Sequence, residues 1–113
     1  MELEKVHTVH MLGIGGIGMS ALARFLNKRG KKVTGYDKTS TPLTKALESE
    51  GINVNYEARP ELVDAADLVV FTPAVPADHP EFARVEELGK PMMKRAEMLG
   101  MISRAYKTIA IAG

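Results

Sequence analysis

Four glycines in six residues, Gly13-Ile14-Gly15-Gly16-Ile17-Gly18, are the part of this sequence best suited to chemistry. The spacing Gly13-x-Gly15-x-x-Gly18 is that of a phosphate-binding turn between a strand and a helix. Gly13 permits a tight turn. Gly15 lets backbone approach a phosphate with no Cβ in the way, so a side chain there should fill the ligand's space and leave the fold largely intact. Gly18 allows the helix to pack close to the strand, and Gly16 loosens the loop further. A helix opening here directs free N–H groups and a positive dipole end at an anion. Ser20, after Met19, adds a hydroxyl in the first turn. A ligand-free glycine turn is the competing explanation, and the strand–turn–helix setting argues against it. The motif points to a phosphate and identifies the nucleotide poorly.

Two further stretches fall where such a ligand would lie. Asp37 ends the second expected strand, where a carboxylate accepts hydrogen bonds from a ribose hydroxyl or a base N–H. It is equally placed to cap a turn with Thr39 or Ser40. Thr72-Pro73 ends the fourth expected strand, on the same sheet edge as Gly13 and Asp37. It either lines the ligand crevice or is a loop set by its proline.

Nothing else in the sequence assembles a reaction centre. His7 and His10 lie an odd number of residues apart in one expected strand, so they point to opposite faces and cannot chelate one metal. His79, between Asp78 and Pro80, suits a helix cap better than a ligand. Ser20 has no evident base and no G-x-S-x-G elbow around it. Glu86-Glu87 reads as a solvated helix face, and the seven methionines as core filling. These residues support binding rather than turnover.

The elements that must hold the loop follow from pattern. Val6 to Leu12 reads as a buried strand, and Met19, Leu22, Ala23 and Leu26 as a helix stripe ended by Gly30. Lys32 to Tyr36 is the second strand. Thr41 caps a helix with Pro42 at its first position, stopped by Gly51. Ile52 to Tyr56 is a weaker strand and Pro60 to Ala65 a short helix. Leu68-Val69-Val70-Phe71 is a continuous apolar run of the central parallel type. Pro80 to Leu88, Pro91 to Met93 and Arg95 to Ile102 then give helix, strand and helix, before a last apolar run, Thr108 to Ala112. Alternating strands and helices imply an α/β fold, a Rossmann-like doubly wound parallel sheet in a single domain. Its ligand belongs at the carboxyl ends of the strands, where the strand order reverses.

Composition narrows the partners. Fifteen basic and fourteen acidic residues leave a net charge of +1, which offers no electrostatic case for nucleic acid or an anionic membrane. The absence of cysteine excludes disulfides and thiolate metal sites. No apolar stretch approaches the ~20 residues that cross a bilayer.

Three separated motifs resemble the Mur ligase family, in particular its L-alanine-adding members. They are His10-Met11-Leu12-Gly13-Ile14-Gly15-Gly16-Ile17-Gly18-Met19-Ser20, then Lys94-Arg95-Ala96-Glu97-Met98-Leu99, then Ile109-Ala110-Ile111-Ala112-Gly113. The resemblance covers essentially the whole chain. It implies a cytoplasmic enzyme of peptidoglycan biosynthesis that joins L-alanine to UDP-N-acetylmuramic acid, using ATP and magnesium. It further implies that residues 1–106 are the UDP-binding amino-terminal domain. Residues 107–113 would open an ATP-binding central domain whose phosphate loop is not in this chain. Carried over by motif, Gly13 and Ile14 open the UDP site, and Gly15, Gly16, Ile17, Gly18, Met19 and Ser20 face the diphosphate. Asp37 and Lys38 lie near the uridine, and Thr72, Pro73 and Ala74 near the uridine or diphosphate. Arg95 matches a family motif without a ligand contact that can be derived. Asn55-Tyr56-Glu57-Ala58 lacks the G-H pair of many relatives and is assigned none. The chain alone is expected to be inactive, with no cofactor or metal of its own. The apolar stretch 107–113 is expected to pair with its own sheet or with a neighbouring chain. Two other classes compete: an NAD(P)-binding domain of a dehydrogenase, which the glycines and Asp37 alone would favour, and a small regulatory nucleotide sensor.

Overall fold

The structure, a computed structural model, describes residues 3–105. The expectations for the stretch 107–113, and for a domain boundary at 106/107, lie outside the described residues.

Five strands form one parallel sheet: β1 (Thr8–Leu12), β2 (Lys32–Tyr36), β3 (Asn53–Asn55), β4 (Leu68–Phe71) and β5 (Met92–Lys94). Their order is β3-β2-β1-β4-β5. The chain moves outward from β1 through β2 to β3, then returns to the other side of β1 with β4. The order therefore reverses between β1 and β4, and the crevice of a doubly wound sheet opens there.

Helices α1 (Ile17–Lys28), α2 (Pro42–Ser49), α3 (Glu61–Ala65), α4 (Pro80–Leu88) and α5 (Arg95–Ala105) cover both faces. Strand alternation sorts the core. Val9 and Met11 of β1, Val33 of β2, and Leu68 and Val70 of β4 join Leu22 and Leu26 of α1, Leu47 of α2 and Met98 of α5 on one face. Leu12 and Val69 join Val63 of α3 and Val85 of α4 on the other. Met11, Met19, Met98 and Met101 are buried, as core filling requires.

Boundaries follow local chemistry. Thr41 and Thr44 cap α2 reciprocally, each side chain accepting the other's backbone N–H. Gly30, Gly51 and Gly89 follow or cap their helices with φ of +80°, +90° and +65°. The first strand starts two residues later than its apolar run suggests. The Asp67 carboxylate accepts the N–H groups of His7 (2.8 Å) and Thr8 (2.9 Å). The Lys31 ammonium bonds the carbonyls of Leu3 (3.0 Å) and Val6 (2.6 Å). Val6 is thus buried in a segment held by side chains, after a 3₁₀ turn over Leu3–Lys5 that periodicity does not reveal.

Candidate functional site

The glycine loop leaves β1 with Gly13 at φ +92°, a left-handed turn that glycine enters without a Cβ penalty. The Gly13 and Ile14 N–H groups both donate to the Tyr36 carbonyl, at 2.8 and 3.0 Å. The Gly15 N–H donates to the Asp37 carboxylate at 2.8 Å. Gly16 donates to the Gly13 carbonyl at 3.2 Å, and Ser20 to the Gly16 carbonyl at 2.8 Å. Three consecutive amides remain, those of Ile17, Gly18 and Met19. They open α1, and none has a hydrogen-bond partner among the described residues. The cap residue, Gly16, gives no side-chain bond, and the first turn carries no acidic residue. The positive end of α1 therefore faces the crevice uncompensated.

Two of the glycines have close neighbours that spacing does not reveal. A Cβ on Gly15 would lie 2.7 Å from Asp37 Oδ2 and 2.8 Å from Thr44 Cγ2, so the close approach is made by Asp37 and α2. A Cβ on Gly18 would lie 2.6 Å from Arg95 Nη1 and 2.8 Å from Arg95 Cζ. The nearest atoms all belong to the flexible Arg95 side chain, which thus reaches the start of α1. Close packing of the glycine loop on the sheet is supplied at Gly35 of β2, where a Cβ would come 2.5 Å from Ile14 Cδ1.

The other expected residues divide by burial. Ile14 and Met19 are core side chains, leaving only their backbone for the crevice. Ser20 is also buried, and its hydroxyl donates to the Ile17 carbonyl at 2.9 Å, so the expected extra donor is already engaged. Ile17 is 86% exposed at the loop tip. Asp37 caps its own turn by accepting the Thr39 N–H at 3.1 Å, as well as accepting the Gly15 N–H. Lys38 beside it is exposed. Thr72 meets the glycine loop directly, with Oγ1 2.7 Å from the position of a Cβ on Gly13. Its hydroxyl has no hydrogen-bond partner among the described residues. Pro73 and Ala74 are exposed beyond it. A cleft of about 360 Å³ opens here, lined by Phe71, Thr72, Pro73, Lys94, Arg95 and Ala96.

Behind the loop lies a buried polar network. His10 and Glu81 are both 0% exposed. His10 bonds Thr34 Oγ1 through Nδ1 (2.7 Å) and Glu81 Oε1 through Nε2 (2.5 Å). The other Glu81 oxygen accepts the Arg59 N–H at 2.7 Å. Burial pushes the Glu81 carboxyl up, but the bonds from His10 and the Arg59 N–H outweigh it and hold the carboxyl below its ordinary value. His79 caps α4, its Nδ1 accepting the Glu81 N–H at 3.2 Å, and its ring packs on Tyr36. Sequence reasoning found the cap and missed the pair, because the partners are 71 residues apart with nothing in spacing to join them.

The sequence model described as "Mur ligase family, catalytic domain" matches residues 8–107. The chain belongs to the Mur ligase family. The UDP-N-acetylmuramate–L-alanine ligase of Cytophaga hutchinsonii is 49% identical over 119 residues, covering 100% of this chain and 26% of that protein. The corresponding ligase of Caldanaerobacter subterraneus is 43% identical, covering 100% of this chain and 25% of that protein. The chain thus spans about a quarter of the length of the curated relatives it matches. Among solved structures, the UDP-N-acetylmuramate–alanine ligase of Thermotoga maritima superposes with a TM-score of 0.79 at 33% identity, over 88% of this chain and 23% of that one. The shikimate dehydrogenase of Aquifex aeolicus, at 19% identity and a TM-score of 0.57, shares the fold alone over 82% of this chain and 44% of that one. The family motif Arg95–Leu99 now has a physical reading. The Glu97 carboxylate accepts the Lys94 N–H at 3.0 Å and fixes the first turn of α5, and Met98 anchors it in the core. Arg95 is left against Gly18.

Proposed function

We propose that this Mur ligase domain binds the UDP part of UDP-N-acetylmuramic acid for a ligase that adds L-alanine in peptidoglycan biosynthesis. The observation that carries the reading is the row of three unpartnered amides, Ile17 to Met19, at the positive end of α1. The names of the relatives supply the substrate. On this reading the diphosphate lies on those amides, with Thr72, Pro73 and Ala74 beside it, and Asp37 and Lys38 flank the uridine.

Asp37 can serve two partners, since a carboxylate has about four acceptor positions and two are engaged. The family resemblance also implies ATP and magnesium. Among the described residues no group of three His, Cys, Asp or Glu side chains could hold a metal, and the sequence contains no G-K-T phosphate loop. On this reading the chain's own part in the reaction is binding and orientation. The resemblance further implies a cytoplasmic setting; among the described residues no helix is long and apolar enough to cross a membrane.

Calorimetry with UDP and with NADH tests the proposal. UDP is expected to bind and NADH to give no heat of binding. Binding of NADH without binding of UDP would replace the ligase reading by the dehydrogenase one.

A further inference from the structure

We infer that Arg95 is a ligand of the second phosphate, and that it makes this crevice prefer a nucleoside diphosphate to a monophosphate. The inference rests on the reading above that the crevice takes a nucleotide.

Arg95 follows directly on the carboxyl end of β5, two strands away from the glycine loop in the order β1-β4-β5. Its side chain spans the end of β4 to reach α1, because its guanidinium lies against Gly18. Glu97 and Met98 hold the first turn of α5, from which Arg95 extends toward Gly18. Yet the Arg95 guanidinium makes no hydrogen bond or ion pair among the described residues. By contrast, Arg24 and Arg84 each pair with a carboxylate. A charge with no partner among the described residues, beside three free amides and an unpartnered Thr72 hydroxyl, calls for an anion outside the chain.

The amides and the arginine offer distinct binding elements. Three adjacent N–H groups at a helix start suit the oxygens of one phosphate. A guanidinium offers a planar pair of donors that grips a further phosphate bidentately, with charge that the amides lack. A cleft lined by Phe71, Thr72, Pro73, Lys94, Arg95 and Ala96 opens between Thr72, which touches Gly13, and Arg95, which touches Gly18. A monophosphate would engage the amides alone.

The test compares UDP and UMP by calorimetry on the wild-type chain, Arg95→Ala and Arg95→Lys. Arg95→Ala is expected to raise the Kd for UDP about tenfold, the usual consequence of losing one charge-assisted pair, and to leave the Kd for UMP within about threefold. Arg95→Lys keeps the charge and loses the fork, and should recover part of the UDP affinity. The thermal midpoints of both variants should match wild type, because an exposed side chain without a partner stabilises little. Wild-type UDP affinity in Arg95→Ala, or equal weakening toward UDP and UMP, overturns the inference while the nucleotide reading stands. Failure of the wild-type chain to bind UDP at all overturns both.

Discussion

Gly15 shows how far a residue's role is set by what lies across the fold from it. The fingerprint spacing makes it a site of close backbone approach to a phosphate; within the chain, side chains also crowd it. The approaching groups are the Asp37 carboxylate and the Thr44 methyl, at 2.7 and 2.8 Å from a Cβ built there. Its φ is not positive, so the constraint is steric rather than conformational. Gly15→Val is therefore expected to do more than obstruct a ligand. It should displace Asp37, break the Gly15–Asp37 bond and destabilise the chain by about 1–3 kcal/mol, the usual cost of overpacking. A denaturant titration checks this. A midpoint equal to wild type would mean that loop and carboxylate separate without cost. Gly18 and Arg95 carry the same lesson: both were legible as motif residues, but their contact joins positions far apart in sequence, which spacing cannot reveal.

At the scale of elements, proline and glycine mark boundaries that the structure keeps. Pro42 and Pro80 begin α2 and α4, and Gly89 caps α4, because their backbone preferences act locally. The run Leu68–Phe71 is β4 as expected, and Lys32–Tyr36 is β2. The short strands β3 and β5 differ by one residue at each end, since their limits are set by pairing with β2 and β4 rather than by their own residues. The His10–Glu81 pair lies beyond local pattern altogether, and it ties β1 to α4 directly behind the glycine loop. Its pH dependence follows from Glu81, whose carboxyl is held below its ordinary value. A depressed folded-state value stabilises the chain above the unfolded carboxyl range, and the contribution is lost as pH falls through the folded value. Thermal midpoints should accordingly drop on acidification, and Glu81→Gln should drop less steeply while starting lower at neutral pH. Asp64 and Asp67 leave a residual slope, since the Arg84 pairing and the His7 and Thr8 N–H groups lower them in the same direction. Parallel curves for Glu81→Gln and wild type would show that the pair does not contribute in this way.

For the molecule as a whole, the doubly wound sheet places three chain segments at one opening. The loop after β1 brings the free amides, the loop after β4 brings Thr72, and the start of α5 brings Arg95. The opening itself was legible, because strand–helix alternation dictates where the order reverses. Which loop amides remain free was not, since it depends on the Tyr36 carbonyl and the Asp37 carboxylate taking the amides of Gly13, Ile14 and Gly15. That division gives the central claim its most direct test, an amide-resolved NMR titration of the labelled chain with UDP. The amides of Ile17, Gly18 and Met19 are expected to move most, with the Gly15 amide less affected because it stays on Asp37. Largest shifts instead around Tyr56, Glu57 and Arg59, which line a separate cleft, with Ile17 to Met19 unmoved, would contradict the account.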